Sequence, residues 1–267
     1  MDGRTAPMNT PGLLRVTRVG DGVACVQMDD AERQNALGHE MVDNLTRTFE
    51  ELGRDQDLRA IVLTGLPEVF SSGASYEILD DLTSGRRSAT EVLLPRVLLE
   101  CPLPCLAAMS GYGLGGGFAL GIAADIVLVA RESRYSLNFL DLGFTPGMGT
   151  TALLEHVLSP AIAHELMFTG EGRLGRDFEG RSGINHILNR DDVLPKALDL
   201  AQRIADKPRY AVAALKQALS APRRQALEAA RAREGLMHSL CFAQPGMRER
   251  FQQASVAKTP RGTVRGW

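Results

Sequence analysis

The segment Gly111–Gly121, which reads GYGLGGGFALG, constrains the fold of this chain more than any other. It follows a short apolar run typical of a strand and opens an apolar run typical of a helix. Three consecutive glycines, Gly115–Gly117, remove the side chains where the backbone enters the helix. Their amide N–H groups are then free to bind a negatively charged oxygen. Tight packing of a strand on a helix would require the same glycines, so the segment alone leaves both interpretations open.

The same segment contains part of a dinucleotide-binding fingerprint. Gly113 and Gly115 have the spacing of that fingerprint, but Phe118 stands where it has glycine or alanine. No acidic residue follows at a suitable distance on a second strand. We therefore do not predict a Rossmann fold.

Strand-like and helix-like segments alternate through the first two thirds of the chain. A hairpin is predicted at Leu14–Val19 and Val23–Met28, because Gly20-Asp21-Gly22 separates two short apolar runs. Apolar residues at helical spacing predict a helix at His39–Leu52. Further strands are predicted at 59–65, 104–109, 124–130 and 184–188, and further helices at 91–100, 111–123, 150–158 and 161–169. This alternation predicts an α/β fold.

The last third of the chain has no strand-like segment after Ile184–Leu188. Helices are predicted there at 192–207, 210–220 and 222–244. We expect three parts: a flexible leader at residues 1–11, a core at 12–200 and a C-terminal helical subdomain at 201–267. The charged segment 77–90, which contains the break Gly85-Arg86-Arg87, is expected to be mobile.

Composition excludes several classes of function. The net charge of the 267 residues is −2, so no broad electrostatic attraction to nucleic acid or to an anionic membrane is expected. No apolar stretch is long enough to span a bilayer. The four cysteines lack metal-binding spacing, which favours free thiols in a reducing cytosol. We predict a soluble cytoplasmic protein without a metal.

Several spaced motifs follow one another along the chain: Asn35-Ala36-Leu37, Phe70-Ser-Ser-Gly-Ala-Ser75, Gly111–Gly117, Ala124-Asp125-Ile126 and Phe144-Thr-Pro-Gly-Met-Gly-Thr-Thr151. They resemble those of the enoyl-CoA hydratase/isomerase, or crotonase, superfamily, in unbroken order from about Leu14 to Phe251. The resemblance implies a spiral of ββα units and a homotrimer or dimer of trimers. It also implies an oxyanion hole formed by the backbone N–H groups of Ala74 and Gly116, beside Gly115. Such a pair stabilises the enolate of a thioester.

Hydratases of this family carry two glutamates that handle water, and both are missing here. Ala119 stands at the first position and Phe139 at the second. Neither side chain can transfer a proton, so hydration of an enoyl thioester is not expected. Asp141 lies close in sequence to the second position, but it should point elsewhere, as a surface or structural carboxylate.

The segment from Asn138 to Thr151 is similar to the decarboxylating crotonases of polyketide β-branching. The resemblance implies decarboxylation of a 3-methylglutaconyl-type thioester on an acyl carrier protein, with His238 as proton donor. No cofactor is needed, because the thioester itself accepts the electrons. Alternatives are a Δ3–Δ2 enoyl-thioester isomerase and a non-catalytic scaffold subunit. Without the resemblance, His238 would be interpreted as a core histidine.

One departure concerns the substrate carboxylate. The best-known decarboxylases of this group have a tyrosine and a lysine after the first loop, and Ile78 and Leu82 occupy those positions here. The residues expected to bind the substrate are Tyr76, Arg86, Arg87, Gly115, Phe139 and Phe144. A solvated role for Tyr76 and the two arginines is the alternative.

Overall fold

The computed structural model describes residues 5–8, 12–86, 94–247 and 249. Within these residues the strands are β1 (Thr5–Met8), β2 (Leu14–Val19), β3 (Val23–Met28), β4 (Ala60–Thr64), β5 (Val69–Ser71), β6 (Cys105–Met109), β7 (Tyr112–Leu114), β8 (Ile126–Ala130), β9 (Arg134–Ser136), β10 (Arg173–Leu174) and β11 (His186–Leu188). The helices are α1 (His39–Arg54), α2 (Tyr76–Thr83), α3 (Leu94–Glu100), α4 (Gly116–Ile122), α5 (Thr150–Leu153), α6 (Pro160–Thr169), α7 (Arg190–Ala205) and α8 (Arg209–Phe242).

These strands form two sheets. The larger sheet has the order β1-β2-β3-β4-β6-β8-β11, and the smaller one has the order β10-β9-β7-β5. Each of β4, β6 and β8 is followed by a short strand that crosses to the smaller sheet, and helices follow β5 and β7. This repetition is the ββα spiral that the resemblance implied, and the predicted α/β fold is confirmed.

Helices cover both faces of the larger sheet. Helix α7 packs against β3, β4, β6 and β8, where its alanines Ala197, Ala201 and Ala205 allow close approach. Helices α1, α3 and α4 contribute to the main core on the other side. Helix α8 is fixed to the core by Lys216, whose buried ammonium donates to Asp125 at 2.6 Å and to the Leu98 carbonyl at 2.9 Å.

The structure contains regular elements within two segments that were predicted to be flexible or mobile. In the leader, predicted at residues 1–11, Thr5–Met8 pairs antiparallel with β2, with Met8 opposite Val16 and Thr5 opposite Val19. The segment 77–90 was expected to be mobile, but α2 occupies it as far as Thr83, because Ser75 caps the helix and Ile78 and Leu79 are buried. Residues 87–90 of that segment, like residues 91–93 of the next predicted helix, lie outside the described residues.

The helical third also differs from the prediction. Helix α8 is continuous through Pro222, where two helices were expected. A proline removes one hydrogen bond within a helix, and here the flanking residues Ser220 and Leu227 remain packed. The boundary predicted between residues 200 and 201 falls inside α7, so we propose that the helical subdomain begins with α8 at Arg209.

The remaining predictions concern cysteines and membranes. All four cysteines are free, and Cys25, Cys101 and Cys105 are buried, as expected. In the part of the chain that the structure describes, no helix combines the length and the apolar character needed to cross a membrane.

Candidate active site

Two loops meet at one edge of the smaller sheet. Strands β5 and β7 are parallel neighbours, so the loops that follow them leave the sheet at the same edge. The first loop carries Ala74 and the second carries Gly115 and Gly116. A Cβ atom on Gly116 would lie 3.8 Å from the amide nitrogen of Ala74. The two residues predicted to form the oxyanion hole are therefore adjacent in space.

Among the described residues, the backbone hydrogen bonds formed around Ala74 and Gly116 do not use the N–H groups of these two residues. Leu37 and Ala74 form a parallel bridge, in which Leu37 bonds to the Gly73 carbonyl and to the Ser75 amide. The N–H of Ala74 consequently points away from Leu37. Gly116 is the first residue of α4, so its N–H has no partner within the helix. Two backbone donors thus lie beside each other at the edge of the sheet.

The surroundings of Gly117 show why a glycine is needed at this position of the glycine run. A Cβ atom at this position would lie 2.6 Å from the Cβ of Ser71, so a side chain would push α4 away from β5. Close packing therefore requires Gly117, whereas Gly116 is the first residue of α4 and has an N–H without a partner within the helix. The packing interpretation is therefore correct for Gly117, and binding of a negatively charged oxygen at Gly116 stays a prediction.

Asn35 braces the first loop, a role that the sequence did not reveal. The side chain is fully buried, and its amide nitrogen donates to the carbonyls of Val69 and Phe70 at 3.3 and 3.1 Å. The backbone carbonyl of Asn35 accepts a hydrogen bond from the Ser71 hydroxyl at 2.8 Å. Asn35 lies in the left-handed region with φ of 52°, which asparagine tolerates better than most residues. The position of Asn35 in the motif before α1 was the sequence feature that could have indicated this role.

The positions of the two family glutamates are apolar in three dimensions as well. Ala119 and Phe139 are 5% and 7% exposed, respectively. Phe139 contacts Phe144 edge-on at 6.0 Å between ring centroids. Phe144 in turn contacts the ring of His238 at 5.9 Å. Both positions at which the resemblance places the hydratase glutamates are therefore buried and apolar, and Phe139 belongs to an aromatic cluster that includes His238.

His238 is a buried histidine, and one of its two ring nitrogens forms a hydrogen bond. Nε2 lies 2.7 Å from the Thr145 carbonyl, so it carries the proton and donates it. Nδ1 is buried and has no hydrogen-bond partner among the described residues. The ring stacks on Phe242 at 5.4 Å, and a Cβ atom on Gly147 would lie 2.7 Å from its Cε1. Burial lowers the pKa of His238, while its bond to Thr145 and the charge of Glu234 oppose that shift.

This pKa shift predicts a pH dependence of stability. The usual pKa of histidine is 6.5, and the folded-state value is lower, so the unfolded chain binds the proton more readily. The resulting stability is present above the usual value and is lost as the pH falls towards the folded value. Denaturant unfolding at about pH 8 and about pH 5.5 should show a smaller loss of stability in His238→Gln than in the wild type. Equal losses in the two proteins would contradict this pKa shift.

The described part of the segment after the first loop, as far as Arg86, contains one cation, and that cation pairs with acidic side chains of α2. Ile78 is buried and Leu82 packs against the core, whereas the Tyr76 side chain is 52% exposed. Arg86 donates to Asp81 at 2.7 Å and also pairs with Asp80. Arg86 and His39 both lower the pKa of Asp81 by hydrogen bonding. Arg87 lies outside the described residues.

Comparison with known proteins tests the resemblance seen in the motifs. Residues 18–255 match a family model described as enoyl-CoA hydratase/isomerase, which is most of the chain. The chain belongs to the crotonase family. The superfamily expected from the glycine loops is therefore confirmed.

This crotonase is similar to decarboxylases of polyketide synthesis. It is 35% identical over 243 residues to the bacillaene synthase decarboxylase PksI of Bacillus subtilis (strain 168), covering 91% of this chain and 98% of the relative. A solved structure from a dehydratase/decarboxylase couple of polyketide β-branching has a TM-score of 0.86 at 35% identity, covering 90% and 98% of the two chains. The decarboxylase domain of CurF from Lyngbya majuscula has a TM-score of 0.83 at 37% identity, covering 91% and 99%. The predicted kinship with this subfamily is confirmed.

Proposed function

We propose that this crotonase decarboxylates a 3-methylglutaconyl-type thioester carried on an acyl carrier protein during polyketide β-branching. The observation that carries the proposal is the pair of adjacent amides at Ala74 and Gly116, which have no backbone hydrogen-bond partner among the described residues, in a chain whose two glutamate positions hold Ala119 and Phe139. The similarity to decarboxylases of this pathway supports the same reaction.

The proposed reaction begins with loss of carbon dioxide. The bond between the carboxyl carbon and the adjacent methylene breaks, and its electron pair enters a dienolate that extends to the thioester oxygen. The N–H groups of Ala74 and Gly116 bind that oxygen as its negative charge grows, which lowers the barrier because the donors are already oriented. A proton then adds to carbon. No cofactor takes part in this scheme, because the thioester holds the electron pair.

His238 is the proposed source of that proton. Its Nε2–H is held by the Thr145 carbonyl, so the unpartnered Nδ1 is the nitrogen that we assign to proton transfer. In this scheme Nδ1 takes up a proton from solvent and donates it to a carbon of the dienolate, and the ring returns to the neutral form that burial favours. An imidazole with a lowered pKa is the stronger acid, which suits protonation of carbon.

Arginine in the segment after α2 is the proposed partner of the substrate carboxylate. Arg86 is paired with Asp80 and Asp81 in the free protein, so it must exchange those partners on binding. Replacing Arg86 and Arg87 together with alanine should raise KM more than it lowers kcat, because a cation stabilises the carboxylate in the ground state. Steady-state kinetics measures both constants. The exposed Arg54, which pairs with Glu50 on α1, provides the control Arg54→Ala. Wild-type constants in the double variant would show that the carboxylate is bound elsewhere.

The carrier is proposed to be recognised through its acidic surface. Arginine is the main cation of this chain, and Arg33 is exposed beside Asn35-Ala36-Leu37, the segment that the family uses along the thioester arm. At low salt the carrier-bound substrate should react with a higher kcat/KM than the same acyl group on CoA. The advantage should shrink as salt is added, because exposed charges are screened. Equal values for the two substrates at low salt would rule out recognition of the carrier.

A homotrimer, or a dimer of trimers, is the proposed assembly, and the cytoplasm the proposed compartment. The exposed surface of α8 supports self-association, since it presents leucines four residues apart at Leu215 and Leu219 and again at Leu236 and Leu240. Each of these side chains is at least 60% exposed in the single chain. Apolar side chains grouped in this way are typical of a surface that another subunit covers.

A further inference from the structure

Glu234 is a buried carboxylate that no part of the proposed reaction uses. It lies on α8, is 3% exposed, and is one helical turn before His238. One oxygen accepts a hydrogen bond from the Gly149 amide at 2.7 Å. The other accepts from the Thr151 amide at 3.0 Å and from the Thr151 hydroxyl at 2.7 Å. Its partners are therefore all on one turn, distant in sequence.

The carboxylate replaces a cap that the turn itself does not have. Gly149 is the residue before α5 and has no side chain to accept hydrogen bonds from the first amides of that helix. Those amides need an acceptor, and a negative charge is the most favourable one at the start of a helix. Glu234 supplies it from another element of the fold.

Helix α8 holds the turn at both ends. His238 donates to the Thr145 carbonyl at the beginning of the turn, and Glu234 accepts from Gly149 and Thr151 at its end. Met148 lies between them in the left-handed region with φ of 63°. Its sulfur would be 3.0 Å from a Cβ atom on Gly116, so Met148 packs against one of the two oxyanion donors. A displacement of the turn would therefore move Met148 and alter the packing around the Gly116 amide.

We propose that Glu234 is a positioning residue that fixes the turn 145–151, and through it both the wall of the oxyanion hole and the orientation of His238. The consequence for catalysis rests on the proposed decarboxylation. The consequence for the turn and for His238 does not, because it concerns the free protein.

The charge of Glu234 also provides a direct readout. Glu234 raises the pKa of His238 against the effect of burial. The turn that packs on the ring, from Phe144 to Thr151, has no titratable side chain, and the Asp141 carboxylate lies against Gly170 instead. Removing the charge in Glu234→Gln should therefore move the titration of His238 to lower pH. A residue with only a packing role would not produce that shift.

The test compares Glu234→Gln with Glu228→Gln, an exposed glutamate on the same helix that pairs with Arg231. Nuclear magnetic resonance of labelled histidines should show a lower titration midpoint for His238 in the first variant and no change in the second. Hydrogen exchange at the amides of Gly149 and Thr151 should accelerate only in Glu234→Gln. The kcat of this variant should fall about tenfold or more, with a smaller change in KM, because misplaced groups lose orientation.

Each outcome has a distinct meaning. Unchanged titration of His238 and unchanged exchange of the two amides in Glu234→Gln would overturn the proposal. If the wild type shows no turnover, the proposed function fails, while the two measurements on the free protein still decide the role of Glu234. If Glu234→Gln does not fold, Glu234→Asp takes its place. The proposal then expects the Gly149 and Thr151 amides to be protected from exchange in the wild type and partly unprotected in Glu234→Asp, and equal protection in the two proteins would overturn it.

Discussion

Replacing Gly116 with proline should lower kcat/KM by about a hundredfold or more while leaving the protein folded. Proline has no N–H, so the substitution deletes one of the two oxyanion donors. Gly116 is the first residue of α4, the position in a helix where proline is best tolerated. The closest atom to a new Cβ is the Met148 sulfur, which belongs to a flexible side chain. Turnover of the carrier-bound thioester and circular dichroism measure the two effects.

The matched control for this experiment is Gly116→Ala. Alanine adds the same Cβ atom near Met148 but keeps the N–H, so the control should retain most of the activity. A folded Gly116→Pro protein with wild-type turnover would show that this amide does not bind the thioester oxygen. Similar losses in both variants would indicate that the Cβ atom, rather than the missing donor, causes the defect.

Replacing His238 with glutamine should reduce product formation about a hundredfold. Glutamine retains a donor for the Thr145 carbonyl but cannot protonate carbon, so the turn should keep its position. From the sequence we would expect alanine to leave the melting temperature nearly unchanged, since a proton donor need not be structural. The 5% exposure of His238 corrects that expectation, because alanine would leave a cavity between Phe144 and Phe242. His238 is thus a core residue whether or not it transfers a proton.

His238→Phe is the companion variant that separates the two roles. Phenylalanine keeps a ring against Phe242 but loses the bond to Thr145 and the titratable nitrogen. Low activity in both variants, with stability better preserved in His238→Gln, is the expected result. Full activity per folded molecule in His238→Gln would leave His238 with a structural role alone.

The sequence predicted those parts of the site that depend on local chemistry. Glycine is favoured where a backbone N–H must be approached closely or where a helix packs closely on a strand, so the sequence itself pointed to Gly116 and Gly117. Hairpin pairing of β2 with β3 is predicted for the same reason, because a glycine turn separates two short apolar runs. Asn35 and Glu234 were missed, because their roles depend on contacts between distant segments. Glu234, for example, lies 85 residues from Gly149.

Two elements that the sequence did not predict, strand β1 and the continuous helix α8, have the same physical origin. Strand β1 exists through its pairing with β2, which polar composition does not reveal. Helix α8 continues through Pro222 because packing along its length compensates for one lost hydrogen bond. In each case tertiary contacts override a local preference.

The measurement that most directly tests the central claim uses 3-methylglutaconyl thioester on an acyl carrier protein, labelled at the free carboxyl carbon. The wild-type enzyme should release the label as carbon dioxide, and mass spectrometry should show an equal amount of acyl chain lighter by that mass. Gly116→Pro should release far less. Isomerised product that keeps the label, product that has gained water, or unchanged substrate would each contradict decarboxylation. The first of these would identify an isomerase, and the last a scaffold subunit.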